Sequence, residues 1–270
     1  MSCLHLHILG SGSKGNCALI EGPQGLIMVD DGLSRRETLK RMAELRLSAD
    51  NVSALLITHE HSDHIKGPRC LGASTGTAPS LPAGALFRAK KIFRICLSRN
   101  SIPVTPYPLP ASTCKPTSTS HDVINPVAID STPSMIPSAL PPTPESYTSQ
   151  AMNTLKDCRV LALESNHDVT MLREGEYPRF LQERILSARG HLSNGQAAEA
   201  ARELVTDRTE QLIAMHISQD NNRPSLTVKS YAKTLAATLD DEVGSSATLL
   251  QGSRKLSIRP ASQHRPVTIQ

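Results

Sequence analysis

A chain of 270 residues, 39% of them hydrophobic, can bury a core as one large domain or at most two. Its six cysteines (3, 17, 70, 96, 114 and 158) lack paired spacing, which excludes a disulfide framework or a Cys-x-x-Cys zinc site and points to reduced thiols in the cytoplasm. The net charge of +4 is not a general basic character: residues 68–145 hold seven Lys/Arg against three Asp/Glu, and the remainder holds 22 of each, so charge is no evidence for nucleic-acid binding. The opening "MSCLHLHILGSGSKGN" has neither a basic n-region nor an apolar h-region, and no later stretch approaches a membrane span, so neither a secretory leader nor membrane insertion is expected.

In chain order, "CLHLHIL" alternates Leu4, Leu6 and Ile8 with His5 and His7, a half-buried strand whose histidines are expected to face solvent. The polar loop "GSGSKGN" follows, then "CALIEG" and "GLIMVDDG" around the hairpin signal "GPQG". "SRRETLKRMAELRL" opens with a capping box, Ser34 to Glu37, and carries Leu39, Met42 and Leu45 as the apolar stripe of a helix. "NVSALLIT" reads as a buried strand. Beyond the middle, "RVLALES" is a strand and "PRFLQERILSA" a helix with Pro178 near its start. "SNGQAAEAARELV" is a helix with a second capping box, Ser193 to Gln196; "EQLIAMHIS" is a strand and "SLTVKSYAKTLAATL" a helix. Strands followed by helices after an initial hairpin argue an α/β sandwich.

The middle differs. Fourteen of the nineteen prolines lie between 68 and 145, which leaves little room for long helices or central strands, and a structureless loop of that length is rare inside a domain.

The stretch "SALLITHEHSDHIKG" places three of the ten histidines and an aspartate, His59, His61, Asp63 and His64, directly after an apolar strand. Alternate residues share a face, so His59 and His61 point together, while the adjacent Asp63 and His64 point apart from one another. Neutral imidazole nitrogens with a carboxylate oxygen suit zinc, and also manganese or iron.

"THEHSDHIKG" resembles the signature of the metallo-β-lactamase superfamily, which implies a four-layer αβ/βα sandwich holding one or two metals. "LGSGSKGNCALI", "DDGLS", "SHD", "LESNHDVTMLREGEYP", "GHLSN" and "HISQDNN" narrow the resemblance to the WalJ-type (YycJ-type) group of bacterial hydrolases, related in fold to RNase J and tRNase Z. The resemblance implies a single domain over 1–270, phosphodiesterase chemistry of the DNA exonuclease kind, and a nucleic-acid substrate. It gives His59, His61 and His121 to a first divalent ion and Asp63, His64 and His216 to a second, zinc or manganese. Asp30 is its buried carboxylate orienting the ligand loop. Two ions roughly 3.5–4 Å apart activate a water and clamp the phosphoryl group; Asp63 orients the nucleophile and His191 or His167 assists the leaving oxygen. The loop "GSGSKGN", with Ser11 and Ser13, could cradle a phosphate through backbone N–H groups or serve as a hairpin lead-in, and the helix start near Ser193 and Asn194 offers a second anion site.

The chain departs from that pattern at one ligand. An Asp that bridges the two metals lies, in this group, in a segment like A-T-D-T-G, where this chain has "PPTPE", residues 141–145. One coding of A-T-D-T-G, GCC ACC GAC ACC GGA, read from its second base with A next, gives CCA CCG ACA CCG GAA, which is P-P-T-P-E. Residues 129–145, and 69–111 with them, are therefore expected to be family segments translated out of frame, with a natural Pro-rich divergence as the other reading. Without the bridging carboxylate the second metal site is expected to be weakened; nothing places Asp130 or Glu145 as its substitute. The competing functions are hydrolysis of a small thioester or ester and a degenerate, non-catalytic metal-binding protein. No protein partner is inferable.

Overall fold

Short, largely buried apolar runs build the sheets that carry the candidate site. The computed structural model describes residues 5–22, 25–56, 58, 61–67, 115–118, 127–130, 135–137, 155–156, 158–187, 190–252 and 254–269. The chain divides into two compact units, Met1–Pro110 with Val123–Asn125 and Ser262–Gln270, and Ala111–Asp122 with Pro126–Ala261.

The first unit is a sheet of β1 (His5–Gly10), β2 (Cys17–Gly22), β3 (Gly25–Val29), β4 (Val52–Leu56) and the chain's last strand, β13 (Val267–Ile269), in the order β13-β1-β2-β3-β4. Neighbours are antiparallel except β3 and β4. That parallel pair needs a crossover, which α1 (Arg35–Glu44) supplies. Leu9, Cys17, Leu19 and Met28 of the strands and their borders pack with Leu33 and Met42 into one apolar cluster.

Ser34 caps α1 by accepting from the Glu37 N–H at 3.3 Å, but the Glu37 carboxylate turns forward to Arg41 Nε at 2.8 Å, so half of the expected capping box forms. Arg41 is buried: its Nη1 donates to the Leu9 and Gln263 carbonyls, both at 2.7 Å, and ties the helix to β1 and to the chain's tail. The solvent-facing assignment of His7 is corrected. The ring is 4% exposed, as buried as Leu6 and Ile8 on the other face of β1, because Thr268 of the neighbouring β13 meets its Nδ1 at 2.8 Å and Glu21 of β2 its Nε2 at 3.0 Å.

The second unit has a six-stranded sheet in the order β10 (Thr238–Leu239), β11 (Ala247–Gln251), β12 (Arg254–Pro260), β9 (Gln211–Met215), β8 (Val160–Glu164), β7 (Met135–Pro137). Strands β7, β8, β9 and β12 run parallel, and β10 to β12 form an antiparallel meander. Strands β5 (Lys115–Ser118) and β6 (Val127–Asp130) pair as a ribbon. Helix α5 (Asn194–Leu204) lays Ala197, Ala198, Ala201 and Leu204 into the core beside Val228 and Tyr231 of α6 (Pro224–Leu235), over Leu161, Leu163, Leu212, Ala214 and Ile258. Both halves of the Ser193–Gln196 capping box are made. The strands β10 to β13 had no counterpart in the sequence reading, although "ATLLQ" and "RKLSIRP" are each strand-length and separated by a glycine turn. Among the described residues, no helix is long and apolar enough to cross a membrane.

Arg41→Met keeps the aliphatic stem and leaves two buried carbonyls without their donor. It is expected to lower stability by about 2–4 kcal/mol in urea unfolding, with an unchanged m-value.

Candidate metal centre

In the first unit the site grows from the end of β3. Asp30 takes a left-handed backbone conformation, φ 56°, which carries its buried carboxylate beneath the ligand loop. One oxygen, Oδ1, accepts from the Thr58 N–H at 2.8 Å; the other, Oδ2, accepts from the Thr58 hydroxyl and from His64 Nδ1, both at 2.7 Å. With its proton held at Nδ1, the His64 ring carries its lone pair on Nε2, the nitrogen a metal would take. Nε2 lies 3.5 Å from Asp63 Oδ2, so an imidazole nitrogen and a carboxylate oxygen stand side by side at the start of α2 (Ser62–Ile65). His61, half-buried, is the N-cap of that helical turn, and its carbonyl accepts from the N–H groups of His64 and Ile65.

The loop "GSGSKGN" braces these ligands. Asn16 Nδ2 reaches Asp63 Oδ2 and His64 Nε2, each at 3.1 Å, and the Asn16 N–H donates to the Asp63 carbonyl at 2.7 Å. Asp31 N–H donates to the His64 carbonyl at 2.9 Å. The approach is so close that a Cβ on Gly32 would sit 1.6 Å from the Asp63 carbonyl oxygen, which fixes glycine there. Most N–H groups of the loop are spent inside the protein: Ser11 on Ser262, Gly12 on Asn16, Lys14 on Gln263 and Gly15 on Gly12. Ser11 is buried and Ser13 exposed. The geometry is that of a ligand brace, and a backbone phosphate cradle has few donors left to offer. Asp31, next to Asp30, is raised to about 6 by burial and by the Asp30 charge, against a hydrogen bond from the Thr38 hydroxyl at 2.9 Å.

The second unit repeats the device. Glu164 ends β8 and is 3% exposed. Its Oε1 accepts from Nδ1 of His191 at 2.6 Å and from Nδ1 of His216 at 2.8 Å; the two rings meet edge to face with centroids 5.0 Å apart. Burial works against the Glu164 charge, but His191 and His216 overcome it and hold the carboxyl well below its usual range. His216, like Asp30, ends its strand in left-handed backbone, φ 53°. Backbone bonds from Asn166 to the Leu192 carbonyl and from Asn194 to the His167 carbonyl zip "SNHD" against "GHLSN" and set His191 over Glu164.

Glu164, Asn16 and Asn222 carry no role in the sequence reading, although all three lie inside motifs that carry the family resemblance. Asn194 is buried with its side chain engaged: Oδ1 accepts from Ser165, Asn222 and Thr227, and Nδ2 donates to Asn222. It holds the loop after β8 to helices α5 and α6, and its amide has no atom left for a phosphate. His167 is 1% exposed, and neither ring nitrogen has a partner among the described residues. Burial lowers it to about 4. The expected ligands His59 and His121 lie outside the described residues, as do residues 69–111 and most of 129–145.

Residues 10–69 match the Metallo-beta-lactamase superfamily, and the fold is shared with the metallo-β-lactamase fold protein YhfI from Bacillus subtilis, at a TM-score of 0.60 and 13% identity, covering 98% of this chain and 99% of that one. The chain is an α/β protein of the metallo-β-lactamase superfamily. Within it, exodeoxyribonuclease YycJ of Bacillus anthracis is 33% identical over 246 residues, covering 86% of this chain and 89% of the relative; exodeoxyribonuclease WalJ of Streptococcus pneumoniae is 32% identical over 244 residues, covering 85% and 87%. The chain belongs to this WalJ/YycJ family.

The neutral, buried His167 gives a pH test. Its folded pKa lies below the unfolded value, so the unfolded chain takes up a proton first as pH falls from 6.5 towards 4, and stability is lost across that window. His167→Gln is expected to remove on the order of 3 kcal/mol of this acid sensitivity. Urea midpoints at a series of pH values measure it, and parallel curves for the two chains would contradict the assignment.

Proposed function

We propose that the chain is a metal-dependent phosphodiesterase that removes nucleotides from the ends of DNA, acting in the cytoplasm. One observation carries the reading. A chain of the same family as two proteins named exodeoxyribonucleases fastens Nδ1 of His64, His191 and His216 to buried carboxylates. This is the arrangement that orients metal-ligating and proton-transferring imidazoles.

The donors of the first unit, His61, Asp63 and His64, fit divalent zinc or manganese, with His59, His121 and His216 added to the ligand set from the resemblance. Such ions supply an activated water and withdraw charge from the attacked phosphate. The protein's own groups do the rest. Asp30 and Thr58 fix the His64 ring, and Asn16 fixes Asp63 against it. Asp63 Oδ2 accepts a proton from the attacking water, and Asn16 keeps that oxygen in place. His191, a quarter exposed against 1% for His167, is the histidine of the pair that can meet a leaving oxygen. Its Nδ1–H stays on Glu164 while a proton passes from Nε2 to the leaving alkoxide.

The missing bridging carboxylate limits the second ion, and we attribute its absence to residues 129–145 being out of frame. With three protein ligands at the second ion, the cation pair lacks the shared carboxylate that would offset its repulsion.

Two experiments test this reading. End-labelled linear duplex DNA incubated with the chain and manganese or zinc is expected to release nucleotides, with chelator and His64→Ala each abolishing release. Intact DNA beside a hydrolysed glutathione thioester would move the substrate class to small esters, and a folded chain inactive on both would favour a binding protein. Replacing residues 141–145 by Ala-Thr-Asp-Thr-Gly is expected to add about one tightly bound metal equivalent per chain and to raise the rate with it; no gain in metal over the unaltered chain would contradict the weakened second site.

A further inference from the structure

A third set of metal-ligating side chains lies on the first unit's sheet, outside the residues assigned to the catalytic ions. His5 and His7 stand two residues apart on β1 and share a face, and Glu21 of β2 pairs directly opposite His5. His5 Nδ1 lies 3.2 Å and His7 Nε2 3.0 Å from the same oxygen, Glu21 Oε2, and the three donor atoms all fall within 4.8 Å of one another. A tetrahedral zinc with metal–ligand distances of about 2.0–2.1 Å separates its donors by roughly 3.3 Å. The two donor-to-carboxylate spacings already sit close to that figure.

We propose that His5, His7 and Glu21 form a zinc site of the two-histidine, one-carboxylate type that clamps β1, β2 and β13 and is separate from the catalytic ions.

Three observations shape the proposal. The His7 ring is buried and its rear nitrogen, Nδ1, meets the Thr268 hydroxyl of β13 at 2.8 Å. A hydroxyl both donates and accepts, so Thr268 can give its proton to Nδ1 when Nε2–H bonds Glu21, and accept from Nδ1–H when Nε2 takes a cation. The ring therefore exchanges a hydrogen bond for a metal bond without turning. Both rings also converge on one oxygen, Glu21 Oε2, at 3.2 and 3.0 Å, so the donors are gathered before an ion arrives. Finally, the His5 and Glu21 side chains are 29% and 40% exposed, so an ion has a path in and a fourth position for water. Thiol-free, mixed nitrogen and oxygen ligation suits zinc, nickel or copper and excludes selection of magnesium or calcium, which prefer all-oxygen shells.

The test measures zinc on the full chain. After equilibrium dialysis against low-micromolar free zinc, His5→Ala and Glu21→Gln are each expected to hold one zinc fewer per chain than the unaltered protein, while the catalytic set His61, Asp63 and His64 keeps its ions. Zinc added to the unaltered chain is expected to raise the unfolding temperature more than in either variant. His5 is partly exposed, so its replacement folds, and melting curves in chelator that superimpose on the unaltered chain verify this. Equal zinc content in the unaltered chain and both variants would overturn the proposal. So would loss of zinc on His64→Ala that accounts for every equivalent bound. Failure of the nuclease assay leaves this readout intact, because the cluster does not depend on the substrate.

Discussion

The structure rests on one repeated constraint: a buried carboxylate at the end of a strand that takes the Nδ1 proton of a histidine. Asp30 does this for His64 after β3, and Glu164 does it for both His191 and His216 after β8. A buried carboxylate without donors is costly, so these contacts stabilise the charge as much as they position the rings. His64 and His216 are left with their lone pairs on Nε2, and loops that would otherwise sample many orientations present ligand nitrogens in one. Two of the participating residues, Asp30 and His216, hold positive φ without being glycine. That conformation is tolerated where the surroundings over-determine it, which is the condition at a ligand site.

Support for this arrangement comes from loops whose sequence suggests something else. "GSGSKGN" has the composition of an anion cradle, yet its N–H groups are used internally and its functional contribution is the Asn16 amide against Asp63 and His64. The start of α5 looks like a phosphate site for the same reason, yet Asn194 spends its side chain on Ser165, Asn222 and Thr227. In both cases polar loop residues stabilise the backbone that aims the histidines. Close backbone approach does the remainder, as at Gly32 beneath Asp63.

Much of this was legible in the residues. Period-two alternation located β1, a hairpin signal β2 and β3, short apolar runs β4, β8 and β9, and capping chemistry α1 and α5, because these signals are local. His7 was misplaced because alternation marks two faces of a strand and cannot say that both are covered. Strands β11 and β12 carry a local hairpin signal around Gly252, whereas β13 pairs with β1 across more than 250 residues, a pairing no local pattern encodes. Glu164 was passed over for a related reason: a glutamate ending an apolar strand acquires its role only when His191 and His216 arrive from distant segments. The His-x-His-x-Asp-His cluster, by contrast, carries its chemistry in six consecutive positions after a strand, and it led to the family directly.

The central claim is therefore one about tautomers: the metal-facing nitrogen is Nε2 because the carboxylates own Nδ1. Nitrogen-15 NMR of the histidine rings in the zinc-loaded chain tests it most directly. The account predicts protonated Nδ1 for His64 and His216, with metal-shifted Nε2, and loss of the His64 pattern in Asp30→Asn. Rings protonated at Nε2 with metal on Nδ1, or spectra unaltered by Asp30→Asn, would contradict it.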